Sequence, residues 1–222
     1  MLERFSFTNL RNFDKEKEFK LLIHYILMKP YISIIKGSET EKNLLKAFAG
    51  ESQARNRYTY FASIAKKEGY EQINAIFLET ADNEKEHAKV FFNHLQGGDA
   101  EITASYPAGR IGTTEENLLH AAEGEKMEYS KLYPEFEKIA RKEGFDEVAD
   151  SFKQIGEVEE QHEKRYRKLL ENIKKKQIFK KDKIIKWKCR NCGYVHEGKE
   201  APEICPACKH PQSYYEIKEE NY

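Results

Sequence analysis

The sequence predicts a mainly α protein, in which a four-helix bundle is followed by a small module built around cysteines. One observation is an internal repeat: AKKEGYEQI at 65–73 returns as ARKEGFDEV at 140–148, 75 residues later. Apolar residues within each copy recur at the three- and four-residue spacing of an amphipathic helix. In addition, all four cysteines fall between positions 189 and 208. A chain of 222 residues can hold such a bundle and one extra module.

The first two helices have recognisable ends. Ser38 followed by Glu41 matches a capping box, so the first helix is expected to begin there and to end at Gly69. The second helix is expected over 71–96, because a pair of glycines follows it. Each helix carries an apolar stripe, so the two should pair as a hairpin.

The third and fourth helices repeat this arrangement. A second capping box, from Thr113 to Glu116, predicts the start of the third helix, and Gly144 predicts its end. Pro134 lies inside this helix, where the missing backbone N–H predicts a kink. The fourth helix is expected over 146–175.

The segment 98–112 separates the two hairpins. It contains Pro107 and three glycines and shows no helical period, so it is predicted to be a loop. Its length is unusual for a connection between adjacent antiparallel helices. It suits the long crossover found in one class of four-helix bundle, where it allows two hairpins to pair side by side.

Two Glu-x-x-His motifs are the central candidates for chemistry. Glu84 and His87 form the first, and Glu159 and His162 form the second, 75 residues later. Residues three apart leave a helix from one face, so each pair can present a carboxylate and an imidazole to one divalent metal. One such pair is weak evidence, but its recurrence within the repeat favours a metal site.

Further carboxylates accompany these motifs. A Gly-Glu pair precedes the aromatic run of each half and ends at Glu51 and at Glu125, at an offset of 74 rather than 75. Glu128 follows Glu125 on the same helical face, and the first half has no acidic counterpart. Because a carboxylate among core positions is costly unless paired or metal-bound, we expect a pseudo-symmetric but lopsided di-metal site.

Two tyrosines occupy matching positions in the repeat. Tyr58 and Tyr133 follow Glu51 and Glu125 by about two helical turns. At that distance they can hydrogen-bond the carboxylates of the site, and so orient the ligands or limit the escape of radicals. Equally, both can be ordinary core aromatics whose hydroxyls are satisfied elsewhere.

The cysteines form two knuckles. Cys189-x-x-Cys192 and Cys205-x-x-Cys208 supply four thiolates, a tetrahedral set that binds zinc or iron. Gly193 follows the first knuckle, where a positive φ lets backbone N–H groups turn toward sulfur. The aromatic residues expected to cover this module are Trp187, Tyr194 and Tyr215.

Composition limits the partners and the surroundings. Acidic and basic residues number 38 each, which favours exposed amphipathic helices over a nucleic-acid surface. No apolar run reaches the roughly 18 residues that cross a bilayer, so no membrane partner is expected. If the cysteines hold a metal, none remains for a disulfide, which favours a reducing cytoplasmic compartment.

The chain is predicted to have three parts. Residues 1–35 do not fit the repeat and are interpreted as an accessory or disordered extension. The bundle follows over 36–178 and the cysteine module over 179–222.

Taken together, these motifs resemble the rubrerythrin family over residues 36–222. The segments that carry the resemblance are AFAGESQARNRY (47–58), EKEHAK (84–89), Glu125-x-x-Glu128, Glu159-x-x-His162 and CRNCGY…CPAC. The resemblance implies a ferritin-like bundle with a non-haem di-iron centre, followed by a rubredoxin-like Fe(Cys)₄ domain. The di-iron ligands that it implies are Glu51, Glu84, His87, Glu125, Glu128, Glu159 and His162. The rubredoxin-like ligands that it implies are Cys189, Cys192, Cys205 and Cys208.

The same resemblance implies an activity. It is the reduction of hydrogen peroxide to water with electrons from an NAD(P)H-dependent reductase or a rubredoxin, which protects against oxidative stress. It also implies a head-to-tail homodimer, or a higher homo-oligomer, in which the rubredoxin-like domain of one subunit serves the di-iron centre of its partner. Glu128 and His87 are expected to replace each other as ligands of one iron when its oxidation state changes, with His87 bound on reduction.

Two other functions remain open at this point. A ferroxidase or iron-storage protein would share the bundle, although storage needs no built-in one-electron relay. A zinc ribbon that binds a partner, with the bundle as its scaffold, would also fit the cysteine spacing.

Overall fold

The computed structural model describes residues 34–221, so the predicted N-terminal extension lies outside the described residues except for its last two. Within these residues the chain forms five α-helices and three β-strands, and the third bundle helix consists of three consecutive segments. The helices are α1 Glu39–Lys67, α2 Glu71–Asn93, α3 Thr114–Met127, α4 Tyr133–Lys142 and α5 Asp146–Lys174. The strands are β1 Lys180–Cys189, β2 Val195–Glu200 and β3 Tyr215–Ile217. This mainly helical architecture confirms the predicted fold class.

Helices α1 and α2 form the first hairpin. The Ser38 side chain caps α1 by accepting a hydrogen bond from the Glu41 N–H, as predicted. The Glu41 carboxylate, however, accepts from the N–H of Gly37 rather than completing the capping box. Gly69 ends the helix with φ +81°, a conformation that glycine adopts at little cost. Helix α2 ends at Asn93, three residues earlier than predicted, since the following N–H groups bond three residues back instead of four.

The second hairpin pairs α5 with the composite third helix. Thr113 and Glu116 form the complete capping box that was predicted at the start of α3. Between α3 and α4, Glu128–Leu132 is a π-helix, in which the N–H of Tyr133 bonds to the carbonyl of Glu128. The sequence predicts only a kink at Pro134. The structure adds a π-helical segment that ends two residues before this proline, and the chain continues as a helix through it.

Two aromatic clusters fill the interior of the bundle and share one plan. Each takes a tyrosine and two phenylalanines from one half of the repeat and a fourth ring from the other half. The first contains Tyr58, Phe61, Phe77 and Tyr166, and the second contains Tyr133, Phe136, Phe152 and Phe91. In the repeat Tyr166 corresponds to Phe91, so the two clusters match ring for ring and differ by one hydroxyl. Burial of such large side chains is the main stabilising contribution to the bundle.

The cysteine domain is a three-stranded antiparallel sheet in the order β2-β1-β3. Trp187 and Tyr215 are buried in its core, as predicted, whereas Tyr194 remains 37% exposed and covers little of it. The domain contacts the end of the first hairpin, where the rings of Tyr70 and Phe179 stack with centroids 6.3 Å apart. Among the described residues, no helix is both long and apolar enough to span a membrane.

Candidate metal centres

The bundle interior holds two groups of potential ligands that overlap. Each group contains four side chains whose donor atoms lie within 4.8 Å of one another. The first is Glu51, Glu84, His87 and Glu159, and the second is Glu84, Glu125, Glu159 and His162. Because Glu84 and Glu159 belong to both groups, their carboxylates lie between two adjacent metal positions. Six of the seven side chains predicted as di-metal ligands therefore converge.

The helices place these groups as the repeat predicts. Helices α1 and α3 each bring one carboxylate, whereas α2 and α5 each bring a Glu-x-x-His pair on one face. Helical bundles that hold two metals commonly use this division of ligands.

The two histidines lie in short contact with the shared carboxylates. The Nδ1 atom of His87 is 2.8 Å from Glu159 Oε1 and 2.9 Å from Glu84 Oε2. The Nδ1 atom of His162 is 2.7 Å from Glu159 Oε2 and 3.4 Å from Glu84 Oε1. Burial alone lowers the pKa of His87, but these carboxylates outweigh it and raise that pKa to about 10. In the metal-free chain, protons on the imidazoles thus balance part of the carboxylate charge.

Several buried carboxylate oxygens at the centre accept no hydrogen bond of standard geometry. They are Oε2 of Glu51, Oε1 of Glu84 and Oε1 of Glu159, and the last two lie close to imidazole nitrogens without the alignment of a hydrogen bond. Burial, together with the neighbouring carboxylates, raises the pKa of Glu51 well above its usual range. Buried acceptors without donors are costly, and divalent cations offset this cost by coordinating the oxygens. The donor set of carboxylates and imidazoles therefore fits a pair of iron ions.

Glu128, the seventh predicted ligand, falls outside both groups. Its Oε1 atom faces α1 and lies 3.9 Å from the position that a Cβ on Gly50 would occupy. Burial, followed by the charges of Glu159 and Glu84, raises the pKa of Glu128 to about 8. Glu128 and His87 are the two of the seven that are only partly buried. In this structure His87 contacts the shared carboxylates, whereas Glu128 lies beside Glu125 and outside both groups.

Tyr58 and Tyr133 bond to carboxylates across the bundle. The hydroxyl of Tyr58 in α1 donates to Glu125 of α3 over 2.5 Å. In return, the hydroxyl of Tyr133 in α4 donates to Glu51 of α1. Of the two interpretations left open by the sequence, this contact favours the one in which the tyrosines orient carboxylates. Both rings also pack in the aromatic clusters, so they are core residues as well.

Sequence reasoning missed a third tyrosine near the centre. Tyr166 is fully buried one turn after His162, and its ring lies 5.6 Å from that of Tyr58. Its hydroxyl makes no hydrogen bond of standard geometry. The available signal was the repeat itself, in which Tyr166 takes the place of Phe91 and adds a polar atom to one half only.

All four cysteines converge in the C-terminal domain, within 4.8 Å of one another. The Sγ atoms of Cys189 and Cys208 are 3.7 Å apart, and those of Cys192 and Cys205 are also 3.7 Å apart. The four thiols are free and close enough to share one metal ion, as in the tetrahedral sites of zinc or iron.

Backbone N–H groups point toward these sulfur atoms. The N–H of His210 lowers the pKa of Cys208 to about 6, which favours the thiolate that binds metal. After the first knuckle Gly193 adopts φ +81°, and after the second Lys209 adopts φ +62°. The left-handed turn predicted at Gly193 is therefore present in both knuckles. N–H···S contacts of this kind raise the reduction potential of a bound iron.

Comparison with known proteins agrees with both centres. The family model described as rubrerythrin matches residues 42–170, and that of the rubrerythrin rubredoxin-like domain matches 187–216. The rubrerythrin of Porphyromonas gingivalis is 60% identical over 188 residues, covering 85% of this chain and 94% of the relative. That of Nitratidesulfovibrio vulgaris is 56% identical over 183 residues, covering 82% of this chain and 96% of the relative.

Solved structures extend the comparison to the fold. A mixed-valence state of nigerythrin is 31% identical, with a TM-score of 0.55 over 86% of this chain and 90% of that one. A bacterioferritin of Mycobacterium tuberculosis is 18% identical, with a TM-score of 0.54 over 62% of this chain and 87% of that one, and shares the fold alone. The ferritin-like bundle and the rubredoxin-like module, with their di-iron and four-cysteine iron sites, occur here in one chain. Because the match extends through both domains, the chain belongs to the rubrerythrin family.

Proposed function

We propose that this chain reduces hydrogen peroxide to water at the bundle centre, with electrons that arrive through the four-cysteine centre. The observation that carries the proposal is the pair of overlapping ligand groups that share Glu84 and Glu159. Two adjacent metal positions suit a substrate whose two oxygen atoms are joined by a single bond. The role is that of a peroxidase-type oxidoreductase which protects against oxidative stress.

We assign the metal ligands residue by residue. In the bundle they are Glu51, Glu84, His87, Glu125, Glu128, Glu159 and His162, and in the C-terminal domain they are Cys189, Cys192, Cys205 and Cys208. Six of the seven bundle residues already lie within the two groups. We propose that a change in the conformation of the partly buried Glu128 side chain brings the seventh to the centre.

The chemistry divides between the bound iron and the protein. When bound, a pair of ferrous ions supplies the two electrons needed to break the O–O bond of hydrogen peroxide and form two waters. The chain itself holds the carboxylates in place, and Tyr58 and Tyr133 fix Glu125 and Glu51 by hydrogen bonds. Both tyrosines also pack in the buried aromatic clusters, which limits their movement.

Glu128 and His87 are the two ligands that we expect to exchange. His87 contacts both shared carboxylates, and Glu128 interacts with Glu125 just outside the groups, so both side chains are near the same centre. The π-helix begins at Glu128. Such segments often occur at functional sites, and we expect this one to make it easier for the carboxylate to move.

Electron delivery is expected between subunits rather than within one. The cysteine domain contacts the end of the first hairpin at Tyr70. Glu84 lies thirteen residues beyond the start of α2, which corresponds to about 20 Å along the helix. Because electron transfer slows steeply with distance, a head-to-tail homodimer, in which each cysteine domain approaches the partner's bundle, would shorten the route. The donor would be an NAD(P)H-dependent reductase or a rubredoxin, in a reducing, cytoplasmic setting where the thiols stay free.

The test begins with metal content and colour. Purified full-length protein should be red, should contain about three irons per chain, two in the bundle and one in the cysteine domain, and should bleach on reduction and recover its colour on addition of peroxide. Colourless protein with a single zinc would support a scaffold instead. Iron far above this stoichiometry would support a ferroxidase or storage protein.

A variant pair separates the two centres. Cys208→Ser should abolish NADH-dependent turnover of peroxide in the presence of a rubredoxin reductase. It should still allow peroxide to reoxidise a bundle centre that has been reduced chemically. Glu84→Ala should lose both reactions. Full NADH-dependent turnover by either variant would refute the proposal.

A further inference from the structure

A cavity of about 430 Å³ adjoins the bundle centre. It lies between α1 and the third bundle helix, and residues 103–107 of the crossover loop form part of its wall. The loop is tied to α1, since the Tyr106 hydroxyl donates to the carbonyl of Lys46 over 2.8 Å. Tyr58, Tyr133 and Glu128 also line the cavity, so it reaches the residues that surround the proposed metals.

Two glycines keep this space open, and they belong to the repeated Gly-Glu pairs. Gly50 and Gly124 directly precede Glu51 and Glu125, and both line the cavity. A Cβ on Gly50 would lie 3.6 Å from Cε1 of Tyr106 and 3.9 Å from Oε1 of Glu128. Any larger side chain at this position would therefore extend between the loop and the centre. A methyl group at this position would meet only ordinary contacts, whereas a longer side chain would occupy part of the passage.

The lining is mostly apolar, with polar side chains in several places. Its hydrophobic side chains include Ala47, Ala54, Met127, Leu132 and Phe136, and its polar ones include Lys46, Thr103, Ser105 and Glu135 as well as a corner formed by Gln53, Arg57 and Glu128. At the corner, Arg57 lies with its guanidinium 5.9 Å from the Tyr58 ring centroid and donates to Gln53. The charge of Arg57 also acts on Glu128. A ligand with an apolar body and a small polar head fits this distribution.

The volume exceeds what hydrogen peroxide requires. A water molecule occupies about 30 Å³ of the liquid, and peroxide has only one more oxygen atom. Cavities that bind small organic molecules start at about 300 Å³. The space beside Glu128 is in that range.

We infer that this cavity admits small organic hydroperoxides, ROOH, as further substrates of the centre. The inference rests on the proposed function, which supplies the reductant. The R group would lie against the hydrophobic side chains of the lining, with the –OOH group toward Glu128 and Arg57. The O–O bond breaks, two electrons from the reductase reach the two oxygens, and two protons from solvent complete the balance, so that ROOH becomes ROH and H₂O.

Binding is tested first, without turnover. The probe is 2-phenyl-2-propanol, the alcohol formed from cumene hydroperoxide, titrated into full-length iron-loaded protein and followed by calorimetry. Gly50→Leu should weaken its binding by about tenfold or more, since the added side chain fills the passage. Asn56→Leu adds the same bulk to α1 at an exposed position that does not line the cavity, and it should bind like the wild type. Absent binding, or equal binding by Gly50→Leu, would overturn the inference.

Turnover provides the second readout. In wild-type protein both cumene hydroperoxide and hydrogen peroxide should be reduced. Gly50→Leu should lower the ratio of kcat/KM for cumene hydroperoxide to that for hydrogen peroxide by about tenfold or more. Gly50→Ala is the second variant, in case Gly50→Leu does not fold, because its Cβ meets only ordinary contacts. It should lower the same ratio by about twofold or more.

The outcomes separate the two proposals. If the wild-type protein reduces neither peroxide, the proposed function and the substrate class are both refuted. Binding of the alcohol beside Gly50 would then show only that the cavity holds a ligand. Wild-type protein that reduces hydrogen peroxide but neither reduces cumene hydroperoxide nor binds the alcohol refutes this inference alone.

Discussion

The Tyr58 hydroxyl donates to the Glu125 carboxylate over 2.5 Å, joining α1 to α3 inside the bundle. Its counterpart in the repeat, Tyr133, donates to Glu51 in the opposite direction. Each half of the sequence therefore supplies the donor for the carboxylate of the other half. The hairpins are locked together at the level of the metal centre, so the same two bonds contribute both to the fold and to the position of the ligands.

Replacing Tyr58 with phenylalanine should weaken this connection. Tyr58→Phe keeps the ring in its cluster but leaves a buried oxygen of Glu125 without its donor, which costs about 1–3 kcal/mol. We expect the free energy of unfolding of the metal-free chain, measured in urea, to fall by that amount. Iron should restore most of the loss, because it coordinates the freed oxygen. An unchanged unfolding free energy would contradict the role given to this bond.

Tyr166→Phe is the matched change in the same cluster. The Tyr166 hydroxyl is buried but makes no hydrogen bond of standard geometry, so its removal should not destabilise the chain. We expect the unfolding free energy to stay within about 0.5 kcal/mol of the wild type, or to rise. A loss similar to that of Tyr58→Phe, in the same urea measurement, would reveal a bond at Tyr166 that matters for stability.

Removal of iron should make stability depend on pH. In the metal-free chain the pKa of Glu128 rises from 4.5 to about 8, through burial and its acidic neighbours, and that of His87 rises from 6.5 to about 10. Between pH 4.5 and 8, Glu128 is protonated in the folded chain but ionised in the unfolded chain. Between pH 6.5 and 10, His87 is protonated in the folded chain but neutral in the unfolded chain. Stability should therefore fall as pH rises, by about 1.4 kcal/mol per pH unit for each such proton.

The fall in the free energy of unfolding is measured by urea unfolding of the metal-free chain. Two values, about pH 5.5 and about pH 8, lie on either side of neutrality. Iron-loaded protein serves as the control, because bound metal replaces the protons on the ligands and should flatten the dependence over this range. Metal-free protein that is more stable at the higher pH would show that the buried groups are ionised in the folded state.

Periodicity and spacing were sufficient for much of this molecule. Ser38, Thr113, Gly69 and Gly144 mark helix ends in the structure as they do in the sequence, since capping is decided by local residues. The two Glu-x-x-His pairs converge because a helix fixes the relative direction of residues three apart. The burial of Tyr166 and the cavity beside Gly50 depend on how four helices meet, which no single helix pattern contains.

The π-helix leaves a signature in the repeat that helical periodicity alone does not reveal. Glu51 and Tyr58 are seven residues apart, whereas Glu125 and Tyr133 are eight apart, so the second half carries one extra residue. Both pairs nevertheless make the same reciprocal contacts across the bundle. A helix that gains one residue while keeping both ends in register must widen, and Glu128–Leu132 is where it does so. Pro134 assists, because it lacks the N–H that a regular α-helix would bond to the carbonyl of Ser130.

Deleting Ser130 should convert this segment to a regular α-helix. Ser130 is exposed, and its removal restores the seven-residue spacing of the first half, so Tyr133 and Glu51 should still meet. We expect the variant to fold and to bind iron, with slower hydrogen exchange at the amides of the former π segment. Peroxide turnover should fall, since Glu128 loses the π-helical backbone that is expected to let it exchange with His87.

The control is a deletion within α5, at the exposed Lys153. It should abolish folding, because it shifts Glu159 and His162 off the inner face of the helix. Full turnover by the Ser130 deletion would show that Glu128 needs no π-helix in order to move.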